Sequence, residues 1–345
     1  MLRKISKRFA YGILIFLILL GSIISISIGA FYIPPKKILL IIFSFVTGKE
    51  YDFITFAEKA IIINFRLPRI ILSFLVGAEL SCAGVIYQGM FRNPLTDPYV
   101  IGASSGASLG ASIAILYFQG VSFLGMSATP FFSFLGALLA VFLVWSIAQI
   151  NGKALSYSIL LSGIAVSSFL SAIVSFLMYA SGDKLKNIYF WHLGSFSYQG
   201  WKEVIINIPY GFSGFIVGFF ILRGLNVLQL GEETAFFTGV DVELLKKLCL
   251  IGASLLTAAA VAFCGIIGFV GLIIPHISRL IIGPDHRKLY VFSSLFGGFY
   301  LMMMDTAART ILAPSEIPVG IITALVGGPF FLYLLITHKK VDTLG

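Results

Sequence analysis

Charge is what this chain has least of. Only 11% of its 345 residues are charged, while 58% are hydrophobic and the mean hydropathy is +0.99. Soluble domains carry roughly 25% charged residues, so that class is excluded. Cysteine is scarce as well. Cys82, Cys249 and Cys264 stand singly inside apolar runs, which excludes a disulfide framework or a cysteine metal site and leaves them as small core residues. His192, His276, His286 and His338 are scattered and form no ligand set, so no metal site is expected. The nucleotide loop G-x-x-x-x-G-K-[ST] is missing. No nucleophile–base arrangement or carboxylate pair stands out, so no catalytic residue is expected. If the protein works against a gradient by hydrolysis, the ATPase is on another chain.

Long apolar runs are what it has most of. Runs near 20 residues recur along the whole length, each enough to cross a hydrocarbon core of about 30 Å. Nothing in that core bonds to bare backbone, so a spanning segment is a helix or part of a closed barrel. The runs are continuous rather than alternating, which selects helices. The sequence predicts an all-α integral membrane protein with about ten transmembrane helices, forming a single domain over 1–345. The spans are placed at 9–33, 66–90, 98–118, 122–149, 155–180, 203–223, 245–265, 269–283, 289–309 and 317–337. The nearly uncharged stretch 245–283 is divided, with a short second helix, because Gly265, Gly268, Gly271 and Pro275 interrupt it. The longest polar intervals are 34–65, 181–202 and 224–244, none large enough for a soluble domain.

The net charge of +9 suits helix ends at a membrane surface rather than nucleic acid. The basic N-terminus (Arg3, Lys4, Lys7, Arg8) precedes an apolar run too long for a signal peptide and without a convincing cleavage site, so a retained span is expected. Ten spans starting inside put Arg92, Asn151-Gly152-Lys153, 224–244 and 284–288 on the same side, with 14 of the 24 Lys and Arg residues. Both termini are then cytoplasmic in a multi-pass cell-membrane protein.

A few residues carry more specific expectations. Arg66 and Arg69 are three apart and share a helix face at the outer mouth; Arg309 sits at the outer end of a later span, four residues after Asp305, where an ion pair is allowed. These arginines are either interfacial anchors or a basic ring that docks an acidic partner. The segment 224–244, with Leu230, Gly231, Glu232, Ala235 and Gly239, suits two short surface helices, read either as a solvated connector or as an insert for a cytoplasmic partner. Gly102, Gly106 and Gly110 form a smooth face for close helix packing. Glu79 falls mid-span, where a carboxyl must be paired, protonated or hydrogen-bonded; a structural role against a neighbouring helix is expected.

From about residue 60 to 337 the sequence resembles the permease subunits of type II ABC importers, the family that takes up ferric siderophores, haem and cobalamin. The resemblance rests on Arg66-Leu-Pro-Arg69, Arg92-Asn-Pro-Leu95, Asp97-Pro98, Gly102 and Gly106, then Trp191-His-Leu-Gly194-Ser195 and Leu230-Gly231-Glu232. It continues through Gly265-Ile-Ile-Gly268-Phe-Val-Gly271-Leu-Ile-Ile-Pro275-His276 and Asp285-His286-Arg287 to Glu316-Ile-Pro-Val-Gly320 and Thr323. It implies a pathway between two permease copies (a homodimer, or a heterodimer with a paralogue), two ATP-binding subunits below, and an extracytoplasmic substrate-binding protein above. ATP and Mg would bind the partner subunit, and this chain would hold no cofactor. By the same resemblance Arg66, Arg69 and Arg309 face the binding protein. Leu230, Gly231, Glu232, Ala235 and Gly239 seat in the ATPase, while Gly102, Gly106, Gly110, Gly320 and Thr323 belong to pathway and helix packing. Glu79 departs from the family pattern, which has a small or apolar residue there. The alternative is an ion-coupled secondary transporter, which needs paired intramembrane carboxylates; Glu79 and Asp305 are the candidates.

Overall fold

The computed structural model describes residues 7–342, apart from 30, 50, 52, 124, 151, 152 and 198. Arg3, Lys4 and the Asn151-Gly152 pair thus lie outside the described residues. The chain opens with α1 (Lys7–Ser27), α2 (Pro35–Thr47) and α3 (Phe56–Ala60), and a π segment (Ile61–Arg66) joins α3 to α4 (Leu67–Met90). A 3-10 turn (Pro98–Ile101) leads into α5 (Ala103–Tyr117). The hairpin β1–β2 (Ser122–Phe123 with Met126–Ser127) precedes α6 (Ala128–Ala148), and β3–β4 (Gln149–Ile150 with Lys153–Ala154) precedes α7 (Ser156–Tyr179). Then come α8 (Leu185–His192), α9 (Trp201–Leu228), α10 (Glu232–Phe237), α11 (Val242–Cys264), α12 (Val270–Ile282), α13 (His286–Ala308) and α14 (Val319–Asp342).

Among the described residues seven helices are long and apolar enough to cross a bilayer: α1, the run from α3 through α4, α6, α7, α9, α11 and α13. Three shorter apolar helices, α5, α12 and α14, bring the set to the expected ten. The interrupted stretch divides as expected. Its α11 ends at Gly265 (φ 72°), whose Cβ, if added, would lie 2.1 Å from the Trp191 carbonyl oxygen. Only glycine fits both requirements.

Two expected polar intervals contain helices instead. Residues 35–47 form α2, too short to span at 1.5 Å per residue, opened by Pro34-Pro35 and closed on Gly48 (φ 71°). Its Ile38 and Ile41 pack with Ile33, Ile62 and Ile63. Within 181–202, α8 forms over Leu185–His192. The expected start of the fourth span at 122 moves to Ala128, because 122–127 turn into the β1–β2 hairpin.

α4 and α11 occupy the centre and are buried nearly all round. Glycine makes this possible: a Cβ at Gly77 would sit 2.2 Å from Gly297 O and one at Gly84 1.9 Å from Gly271 O. Backbones in contact gain dispersion that the hydrophobic effect does not supply between helices in lipid. Cys82, Cys249 and Cys264 are free thiols buried in this core.

Helix termini distinguish the two ends of the bundle. At one, Tyr11 Oη donates to Lys288 O and Gln229 Nε2 to Gly89 O. The starts of α1, α7, α11 and α13 lie at this end, where α10 packs on α9 and α11. At the other, the end of α1, the starts of α4 and α9, and the end of α13 meet; Trp201 Nε1 donates to Ile63 O there at 2.7 Å.

Candidate functional site

At the second end the three arginines are turned inward. Arg66, Arg69 and Arg309 are 7%, 9% and 6% exposed. Arg66 donates to Ile26 O at 2.5 Å, to Ser27 O at 3.2 Å and to Phe31 O. These carbonyls end α1 and its loop, where helix acceptors have no intrahelical donor and the dipole favours a cation. Arg69 grips Asp305 with two bonds of 2.9 and 2.8 Å and Glu316 with two more of 3.0 and 2.9 Å. Ser197 Oγ also donates to Glu316, at 2.6 Å. One guanidinium thus ties α4 to α13 and to the loop before α14. The Asp305–Arg309 pair that the spacing allows is not the one used. Arg309 turns to Ser25 O on α1 and to Thr306 Oγ1, while Asp305 takes Arg69.

Two cavities lie below this layer. The outer, about 910 Å³, is bounded by Lys186, Trp191, Ser197, Gln199, Cys264 and Glu316. The inner, about 680 Å³, lies between α5 and α7 and is bounded by Tyr99, Ser108, Ser167, Ser171, His192 and Ile266, among others. Main chain divides them. Ser195 N donates to Cys264 O at 2.8 Å and Gly320 N to Gly194 O at 3.4 Å. A Cβ would lie 2.3 Å from Ile266 O at Gly194 and 2.3 Å from Leu193 O at Gly320. Gly320 thus lets the start of α14 touch this partition, and buried Thr323 caps Gly320 O at 3.1 Å one turn on. Gly102 (φ 86°) turns the chain into α5; Gly106 and Gly110 seat that helix on α6, where added Cβ atoms would lie 2.3 Å from Gly136 O and 1.9 Å from Phe132 O.

At the opposite end α10 is set between Gly231 (φ 116°) and Gly239 (φ 86°). Ala235 is buried beneath it, while Leu230, Phe236 and Phe237 are 70%, 69% and 78% exposed. Glu232 anchors the step, accepting from Lys246 Nζ of α11 at 2.8 Å and Ser156 Oγ of α7 at 3.0 Å. Burial pushes this carboxyl up, and the Lys246 and Ser156 bonds with the Arg92 charge more than offset it, leaving it below the usual carboxylate range.

Glu79 lies within α4, 1% exposed, and accepts from Asn207 Nδ2 of α9 at 3.3 Å. Gly211 leaves it room: a Cβ there would lie 2.0 Å from Glu79 Oε1. The two deep carboxylates are therefore not a pair, since Asp305 is committed to Arg69.

Residues 16–337 match the family model described as the FecCD transport family. The chain belongs to the FecCD transport family. It is 46% identical over 277 residues, 80% of this chain and 73% of the relative, to the cobalamin import system permease protein BtuC of Halobacterium salinarum. It is 38% identical over 280 residues, 81% of this chain and 84% of the relative, to the hemin transport system permease protein HmuU of Yersinia pestis. Its fold matches a solved metal-chelate type ABC transporter in an inward-facing conformation, with a TM-score of 0.81 at 32% identity, over 96% of this chain and 100% of that one. The fold is that of an ABC importer permease.

Several functional candidates of this FecCD chain escaped the sequence reading. Phe236 and Phe237 sit inside the segment singled out, and an aromatic pair in a polar connector was the available signal. Glu316 carried no signal toward Arg69, because 247 residues separate them. The hydroxyl row of the inner cavity was legible as Ser167-Ser168, Ser171 and Ser175 at helical spacing.

Proposed function

We propose that this chain is the membrane permease subunit of an ATP-binding cassette importer that moves an iron complex, such as a ferric siderophore or haem, or cobalamin inward across the prokaryotic cell membrane. Two copies form the pathway, as a homodimer or with a paralogue. Two ATP-binding subunits, which carry ATP and Mg, drive it, and an extracytoplasmic binding protein delivers the cargo.

The observation that carries this reading is the α10 step. Exposed Phe236 and Phe237 stand on a helix bracketed by Gly231 and Gly239, with exposed Leu230 just before it, in a chain without a nucleotide loop of its own. An apolar knob in a polar connector suits a socket on a partner protein. Leu230, Gly231, Glu232, Ala235 and Gly239 shape and hold it. The α10 end is cytoplasmic on this reading, with both termini.

The arginine end receives the binding protein. Arg66 and Arg309 bond neutral acceptors, so their charge adds a positive field to this end from within. Arg69, its charge more than balanced by two carboxylates, holds the end together. Lys186 and Lys202 are exposed there and present positive charge to solvent, as does Lys36 at the start of α2. The glycines at 102, 106, 110 and 320, with Thr323, keep α5 and α14 against the pathway wall.

Affinity purification of the tagged chain in mild detergent tests the reading. A stoichiometric ATP-binding subunit is expected, and Phe236→Asp with Phe237→Asp should abolish its recovery while the permease still elutes as a folded species. Full recovery with that variant would remove α10 from the contact. Uptake that follows an ion gradient without ATP would support a secondary transporter instead.

A further inference from the structure

We propose that α2 is a membrane-immersed strap. It lies in the leaflet at the arginine end, with phospholipid acyl chains against its exposed face and lipid phosphates beside Lys36. The inference goes beyond the permease reading and needs only a chain that spans a membrane.

α2 lies across the end of the bundle and does not cross the bilayer. Its 13 residues rise about 20 Å, well short of a hydrocarbon core of about 30 Å. It is tied to its neighbours at this one end. Ile33 N donates to Ser27 O at the close of α1, at 3.1 Å, and Lys37 Nζ donates to Glu58 Oε1 of α3 at 2.6 Å. Ile38 and Ile41 face inward, against Ile26 of α1 and Ile62 and Ile63 of the π segment. The other side is open. Leu39 and Phe43, four residues apart and on one face, are 64% and 48% exposed, and Phe45 is 58% exposed. The loop that leads into α2 also carries Phe31 O, which accepts from Arg66, so the seat of the strap bears on the arginine end.

This helix has no polar face to turn toward water. From Ile38 to Phe45 the one polar side chain is Ser44, and it is buried. A helix apolar all round belongs in a protein core or in lipid, and an apolar segment of this length is a buried or interfacial one. Continuity selects lipid. α2 packs on α1 and on the π segment, and both expose large apolar side chains of their own: Phe16, Leu19 and Ile23 on α1, Phe65 on the π segment. Charge sits where headgroups lie. Lys36 in the first turn and Lys49 just past Gly48 are exposed and bracket the apolar stretch; lysines so placed reach phosphate while their stems stay among the chains. Other occupants fit less well. A protein that docks and leaves uses a surface no more apolar than the rest of its partner, and the open face of α2 offers it no polar side chain between Ile38 and Phe45. A second copy shares the pathway wall on the permease reading, and no residue of α2 lines either cavity.

The test places a nitroxide label at Lys36→Cys, Leu39→Cys or Phe43→Cys, one at a time, in the full chain with its ATP-binding subunits. The complex sits in nanodiscs of phosphatidylcholine and phosphatidylglycerol in equal parts. Cys82, Cys249 and Cys264 are buried and stay unlabelled. Power-saturation EPR against oxygen and a nickel chelate reads the depth of each label. Labels at positions 39 and 43 should favour oxygen and lie roughly 5–10 Å below the phosphates, and the label at position 36 should lie among the headgroups. Labels at 39 and 43 that favour the nickel chelate would put this face in water and overturn the proposal. Labels shielded from both agents, in the permease alone or once the binding protein is added, would mean that protein covers it, and would overturn the proposal as well. On the unmodified chain, a phospholipid with a diazirine in its acyl chain should crosslink within residues 38–45; crosslinks confined to other segments would overturn the proposal whether or not a cysteine variant folds. None of these readouts needs the ATP-binding subunits. If those subunits fail to co-purify while the labels report lipid, the permease reading falls and this inference stands; if they co-purify while the labels report water, the reverse holds.

Discussion

Asp305 holds more of the arginine end than its place near a helix terminus suggests. It is 1% exposed and takes two of the four bonds that Arg69 makes. Breaking one side of a buried pair leaves an uncompensated charge and costs about 3–5 kcal/mol. Asp305→Asn should therefore lower the thermal midpoint of the purified complex markedly, and an unchanged midpoint would show that Glu316 alone satisfies Arg69. Glu79 behaves differently. Its partner Asn207 is uncharged, and glutamine keeps both shape and the acceptor that Asn207 uses. Glu79→Gln should retain most of the ATP-driven uptake. A variant that assembles normally and transports nothing would make the carboxyl itself part of the mechanism. That Arg69 meets Asp305 was not legible beforehand. The two are 236 residues apart, and Arg309, four residues from Asp305, was the nearer candidate. Spacing along one helix sees local pairs only, whereas this pair depends on how α4 packs against α13.

At the level of elements, α10 is a short helix that its neighbours hold in place. Glu232 ties it to α7 through Ser156 and to α11 through Lys246. Because the folded carboxyl lies below its ordinary value of 4.5, its stabilisation is complete above that value. It is lost as pH falls through the folded pKa. Recovery of the ATP-binding subunit should stay level from neutral pH down to about pH 5 and fall below about pH 4, and Glu232→Gln should lower recovery at neutral pH and remove that step. A step unaltered in Glu232→Gln would place the titration elsewhere. The spanning helices were legible because hydrocarbon imposes length and continuity on them. Neither α2 nor α8 obeys that rule. At 13 and 8 residues both are too short to cross, so an apolar-run criterion passes over them, and α2 with its two lysines reads as a polar interval. The division of 245–283 was legible because glycine and proline mark it directly.

The whole molecule separates two kinds of positive charge at the arginine end. Buried guanidiniums fasten α1, α4 and α13; exposed Lys186 and Lys202 face outward. Affinity for the binding protein should fall as ionic strength rises, and Lys186→Glu with Lys202→Glu should weaken it and flatten that dependence without loss of folded complex. Reversal of Arg66 or Arg69 should instead reduce the yield of folded complex. If the lysine pair changes neither affinity nor its salt dependence, docking lies elsewhere on this end. The family and the ten-helix architecture could be read from motif order and hydropathy. The two cavities could not, since they are spaces between helices distant in sequence.

The partition between those cavities joins backbone to backbone at Gly194, Gly265 and Gly320. Contacts of that kind leave few side chains through which substitution could reshape the wall between the two spaces. A side chain at any of the three glycines would run into a neighbouring carbonyl oxygen, so change is confined to the residues on either side.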